Sequence, residues 1–198
     1  MSRAGGHAED GSAKRCVIDD CGAGSRLLAW TKIGAAPMYY AQSLDDLMSL
    51  AEVLDITGVA FMQGILDGKH PAPPIGKVLN YRLNTVGDGR IVFRGTPLFN
   101  HCNPMGTVHG GWYGTLLDSA MACAVMTKIP KGSAYTTLEY KVNILRPIPL
   151  GTEVDAIGVT DHTGRSTGIA HGEIRGVSDD KLYALGTTTC IIIKPNSA

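Results

Sequence analysis

One stretch constrains the fold more than any other: GWYGTLLDSAMACAVMTKI, residues 111–129, reads as a single helix of about five turns that is too apolar to lie on a surface. Its faces Trp112/Leu116/Ala120 and Leu117/Met121/Ala124 carry no charge. On both sides the hydrophobic period drops to two, the mark of half-buried strands. Before the helix, VLNYRLN and RIVFRG flank TVGDG, where Asp-Gly supplies hairpin chemistry. After it come AYTTLEYKVNILRP, EVDAIGVTDHT, RSTGIAHGEIRG and LYALGTTTCIII, separated by PLGT, a Thr-Gly pair and SDDK. These four are expected to form a meander. An apolar helix between a hairpin and a set of strands must be hidden by the sheet, which implies an α+β layout.

An antiparallel sheet of about six strands wrapped around one long central helix is the hotdog fold. A single such domain is expected over residues 43–198. Upstream, SLDDLMSLAEVLD is expected to be helical from a Ser43 cap with Asp46 at the capping-box position, and VAFMQGILDG to end a second helix at Gly68. Residues 1–42 are expected to be a disordered leader. MSRAGGHAEDGSAKRCVIDDCGAGSR mixes both charge signs with Gly, Ala and Ser, and its acids argue against a signal or transit peptide. A start at Met38 would remove most of that leader.

The totals exclude some functions. Net charge is zero with 18% charged residues, so nothing suggests a nucleic-acid or membrane surface. CIII is far too short to span a bilayer. Five cysteines without framework spacing fit free thiols in a reducing, cytoplasmic compartment. Cys16, Cys21 and His7 make a zinc knuckle conceivable, but no second pair completes four ligands.

The chemistry concentrates in NPMGTVHGGWYGTLLDSA, residues 103–120. Asp118 is a lone carboxylate whose helical neighbours Gly114, Thr115, Met121 and Ala122 are mostly small. Burial there disfavours its charged form and tunes it towards base work. At the helix start, the Gly110 and Gly111 amides after His109 offer donors at a positive end, and a carbonyl oxygen can approach closely. Gly110 and Asp118 are eight residues apart, about 12 Å along one helix. One carbonyl cannot touch both, whereas an antiparallel second copy brings Gly110 of one chain opposite Asp118 of the other. The alternative is structural: glycines for tight packing, His109 as a cap and Asp118 as a hydrogen-bonded carboxylate.

The same residues resemble the acyl-CoA thioesterases of the hotdog superfamily, specifically the phenylacetate-degradation, PaaI-like group. That group shows an Asn, HGG six residues on, and an Asp nine residues after the His, as Asn103, His109-Gly110-Gly111 and Asp118 do here. The resemblance extends through PAPPIGKVLNYRLNTVGDGRIVFRG, YTTLEYKVNILRP and HTGRST, over roughly residues 44–194. It implies that Asp118 activates water as a general base, or attacks as a nucleophile. It also implies that the partner's Gly110 amide polarises the thioester carbonyl, with His109 and Asn103 arranging that end. Thr137, preferred over its neighbour Thr136, would help hold the water.

For CoA the resemblance implies cations at the mouth, with Arg165 and Arg146 as candidates against an ordinary surface role. Gly111 and Trp112 are candidates to touch substrate, with core packing the alternative for Trp112. Glu139, Lys141, His162 and His171 read as surface groups. No metal or redox cofactor is implied. The expected partners are an acyl-CoA substrate and further copies of the chain, as a homodimer or homotetramer. Rival readings are a hotdog hydratase or dehydratase and a non-catalytic acyl-CoA-binding module.

Overall fold

The computed structural model describes residues 38–195. Residues 1–37, with most of the expected leader and the conceivable zinc ligands His7, Cys16 and Cys21, lie outside the described residues, as do residues 196–198. The described fold reaches back past the expected boundary at 42/43. Tyr40 bridges to Ala72, the Ala41 N–H donates to the Ala72 carbonyl at 3.0 Å, and Ala41 is buried.

The run expected as one helix from Ser43 is two pieces. The Asp46 carboxylate accepts from the Gln42 and Ser43 amides at 2.6 and 3.0 Å, closing a short 3-10 turn at Leu44–Asp46. A complete capping box then starts the chain again: Glu52 accepts from the Ser49 amide at 2.8 Å and Ser49 Oγ accepts from the Glu52 amide at 3.3 Å. It opens helix α1, Leu50–Leu54. Helix α2, Gly58–Leu66, stops short of Gly68, whose φ is +71°. Helix α3, Pro74–Val78, begins on a proline at the position that tolerates one.

Strands β1, Tyr81–Gly87, and β2, Arg90–Gly95, form the expected hairpin, with Gly89 at φ +73° in its turn, but β1 is shifted from VLNYRLN: Val78 ends α3, and Thr85–Gly87, expected as turn, pair with Val92, Ile91 and Arg90. Helix α4, Gly110–Met126, follows, and then β3, Ala134–Ile144, β4, Val154–Thr163, β5, Thr167–Gly176, and β6, Leu182–Ile193. The antiparallel sheet has the order β1-β2-β4-β5-β6-β3. This corrects the expected four-strand meander: β4, β5 and β6 are consecutive neighbours, but β3 lies at the far edge against β6. Helix α4 is the cause. It crosses the whole sheet from the hairpin, so the next strand lands on the opposite edge and the chain returns to pair β4 with β2.

The sheet covers α4 as the hotdog architecture requires. Eleven of its residues are buried, among them Leu116, Leu117, Ala120, Met121, Ala124 and Val125 with no exposure at all. Burying each such leucine stabilises the fold by about 1.5–3 kcal/mol. The helix backbone approaches β4 so closely that a side chain at Gly158 would run into the carbonyl of Ala120.

Candidate active site

A tight loop delivers the start of α4. Cys102 bridges to Val108, and the His109 N–H donates to the His101 carbonyl at 2.9 Å. Asn103 organises that loop itself: its Oδ1 accepts from the Met105 and Thr107 amides at 3.0 and 3.2 Å, and its Nδ2 donates to Thr107 Oγ1 at 2.8 Å. Its side chain is therefore engaged within the loop.

His109 is the N-cap of α4. Its Nδ1 accepts from the Gly111 N–H at 2.8 Å, which leaves the ring proton on Nε2. The cap divides the two glycine donors expected to act together. Gly111 is occupied, whereas the Gly110 N–H has no partner among the described residues.

The other half of the site lies where β3 passes along α4. The two run antiparallel, matching four pairs in turn. A side chain at Gly110 would touch Ile144, and one at Gly114 would touch Tyr140. Thr137 Oγ1 donates to Asp118 Oδ1 at 3.0 Å, and the Tyr135 hydroxyl donates to Cys123 Sγ at 3.9 Å. A bulge at Leu138 follows Thr137 directly, since Thr137 pairs with Cys190 and Glu139 with Thr189. Thr136, on the other face of the strand, is exposed.

Burial pushes the Asp118 carboxyl up from the ordinary aspartate range, and the Thr137 hydrogen bond pulls it back in part. Asp118 Oδ2 accepts nothing among the described residues. A half-buried carboxylate with one oxygen held and the other open can take a proton from water. Burial also pushes the Cys123 thiol up to about 12, so this sulfur is no thiolate nucleophile at neutral pH.

Trp112, expected as a candidate against substrate, belongs to the core. It is 2% exposed, donates from Nε1 to the Leu79 carbonyl at 2.8 Å and stacks on His101. A large ring at a helix start with a backbone acceptor in reach is better satisfied inward. Arg146 and Arg165 are exposed and have no ion pair among the described residues. They lie towards opposite ends of β3. Arg146 follows Ile144 at the Gly110 end, while Arg165 precedes Thr167, which pairs with Ile191 next to the start of β3. His171 pairs with Asp161 at 2.7 Å on the surface, and Glu139 accepts from Thr189 Oγ1 at 2.9 Å. Tyr135, Cys123 and Cys190 around Asp118 were not foreseen. Strand alternation from Thr137 points to Tyr135, but the approach of Cys190 depends on pairing between β3 and β6.

The profile of the thioesterase superfamily matches residues 105–182. The solved structure of a variant of the phenylacetic acid degradation protein PaaI from Thermus thermophilus is 30% identical with a TM-score of 0.55. The match covers 60% of this chain and 97% of that one. The chain belongs to the thioesterase superfamily. A Caenorhabditis elegans protein whose name describes an esterase is 34% identical over 99 residues, 48% of this thioesterase-family chain and 56% of the relative. Acyl-coenzyme A thioesterase 13 of Mus musculus is 27% identical over 89 residues, 45% of this chain and 63% of the relative. The matches thus span between half and two thirds of these two curated relatives. No helix among the described residues is long and apolar enough to cross a membrane.

Proposed function

We propose that this protein hydrolyses an acyl-CoA thioester to the free acid and CoA in the cytoplasm, with Asp118 as general base. The observation that carries the reading is the half-buried Asp118 carboxylate, held on one oxygen by Thr137 and open on the other. In this mechanism Asp118 Oδ2 takes a proton from water as the water oxygen adds to the thioester carbonyl carbon. The C–S bond then breaks, and the leaving sulfur takes the proton that Asp118 holds, which gives free CoA thiol and restores the base. A thioester needs no further activation than a placed water, one base and oriented donors.

The carbonyl oxygen is polarised by the unpartnered N–H of Gly110, at the positive end of α4. Because Gly110 and Asp118 stand about 12 Å apart on one helix, the donor comes from a second copy and the sites are composite. The edge of the sheet supports that dimer. Strand β3 is eleven residues long, pairs on one side only among the described residues, and exposes Leu138, Tyr140 and Ile144. An unpaired edge of that length and apolarity calls for a partner. A two-fold axis also brings one arginine of each chain, Arg165 and the partner subunit's Arg146, to the same site, where CoA phosphates need cations.

The reading is tested by following CoA thiol release with a thiol reagent in the wild type and Asp118→Asn. The variant is expected to remain folded and to lose about 10²–10⁴-fold in kcat/KM. Hydrolysis by the variant at the wild-type rate excludes Asp118 as the base.

A further inference from the structure

The end of a helix leaves carbonyls without partners inside it. At the end of α3 two such carbonyls are taken by rings that follow the hairpin in sequence. His101 Nε2 donates to the Val78 carbonyl at 3.0 Å, and Trp112 Nε1 donates to the Leu79 carbonyl at 2.8 Å. The two rings stack with centroids 6.4 Å apart. His101 is buried, and its Nδ1 accepts from the Leu98 N–H at 3.0 Å across the 3-10 turn Phe99–His101. An amide N–H can only donate, so Nδ1 is bare and the ring proton sits on Nε2. The imidazole is neutral and satisfied on both sides.

The backbone of the same residue reaches the active site. The His101 carbonyl accepts from the His109 N–H at 2.9 Å and closes the base of the Asn103 loop. The Trp112 N–H in turn donates to the His109 carbonyl at 2.9 Å. Gly110 stands between these fixed points. It is exposed and its own N–H has no partner among the described residues, so the direction of that N–H is inherited from His109 and Trp112.

We propose that His101 is a positioning residue for the Gly110 N–H. Its ring anchors the start of α4 to the end of α3, and its carbonyl passes that anchorage to His109. This role rests on the thioesterase reading, in which the Gly110 N–H meets the substrate carbonyl oxygen. Displacing such a donor by about 1 Å costs on the order of 10²-fold in rate.

Two substitutions separate the ring's two bonds. Asparagine at 101 keeps an acceptor near the Nδ1 position but falls short of Val78, whereas glutamine carries an N–H to about the Nε2 position. His101→Asn is expected to lower kcat about 10–10²-fold at nearly unchanged KM, and His101→Gln to restore most of that loss. The Gly110→Pro background, which lacks the N–H, identifies the atom through which the ring acts. There His101→Asn should cost less than about twofold, because the donor is already gone. The proposal is overturned if the two losses multiply, if His101→Asn keeps the wild-type kcat, or if glutamine is as impaired as asparagine. Backbone amide resonances of the isotope-labelled full chain give a readout without turnover. His101→Asn should shift the Gly110 resonance and leave that of Thr137 in place, and an unmoved Gly110 resonance overturns the proposal. If Gly110 shifts as expected but the wild type hydrolyses no acyl-CoA, the placement stands and the catalytic reading falls.

Discussion

Thr137 on β3 donates its hydroxyl hydrogen to Asp118 on α4 at 3.0 Å, and this bond joins the sheet edge to the one carboxylate of the central helix. It holds one oxygen and offsets part of what burial does to the ionised form. The pair therefore controls both where the base points and the pH at which it works.

The pH dependence follows from that pair. Hydrolysis needs Asp118 ionised, so the acid limb of kcat/KM is expected above the ordinary aspartate range because burial raises this group. Thr137→Val removes the hydrogen bond that favours the charged form, and the limb should move further up in pH. A pH–rate profile of the two proteins checks the direction. A limb that moves down, or stays in place, removes Thr137 from this role.

A composite site can be shown by complementation. Gly110→Pro deletes the amide donor at the first helical position, where proline is tolerated. His109 before it already has φ −63° and ψ 139°, which a following proline accepts. The variant should fold and lose about 10²–10³-fold in kcat. Mixed with inactive Asp118→Asn after subunit exchange, it should recover about a quarter of wild-type activity. Half of the randomly paired dimers then hold one intact site of two. A mixture no more active than its components shows that the sites are not shared.

The buried carboxylate also predicts a stability effect. A group whose pKa is raised in the folded state stabilises the fold fully below its unfolded pKa, and that contribution is lost as pH rises through the folded value. Asp118→Asn should thus unfold at a higher temperature than the wild type at neutral pH, by about 2–4 °C for each kcal/mol of relieved burial. The difference should disappear in acid, where Asp118 is protonated. A scan of Tm against pH reads both limbs. A variant less stable than the wild type at neutral pH contradicts the assignment.

Gly158→Ala tests the seating of the helix. The added methyl would meet the backbone of Ala120, which cannot give way as a side-chain end can. Overpacking of this kind destabilises by about 1–3 kcal/mol, and denaturant unfolding should register it as a lower midpoint at unchanged slope.

The sequence by itself determined that a central apolar helix must be covered by strands, and roughly where the six strands lie. Each of the six candidates holds a strand, because alternation is a local signal, but the first lies three residues later than VLNYRLN: Val78 ends α3, and Thr85–Gly87, read as turn, continue β1. Asp118 and the Gly-Gly helix start stood out in the local sequence, whereas alternation allowed either Thr136 or Thr137 to face α4; the resemblance preferred Thr137, and Thr137 is the one bonded to Asp118. What only the tertiary structure decided depends on contacts between distant residues. The far-edge position of β3 follows from the path of α4 across the sheet. The split helix before residue 55 follows from a competition between two caps, which a hydrophobic period does not resolve. The turning of Trp112 into the core was settled by a carbonyl at Leu79. Local spacing specifies elements and their faces. Which faces meet is set by packing across the whole domain.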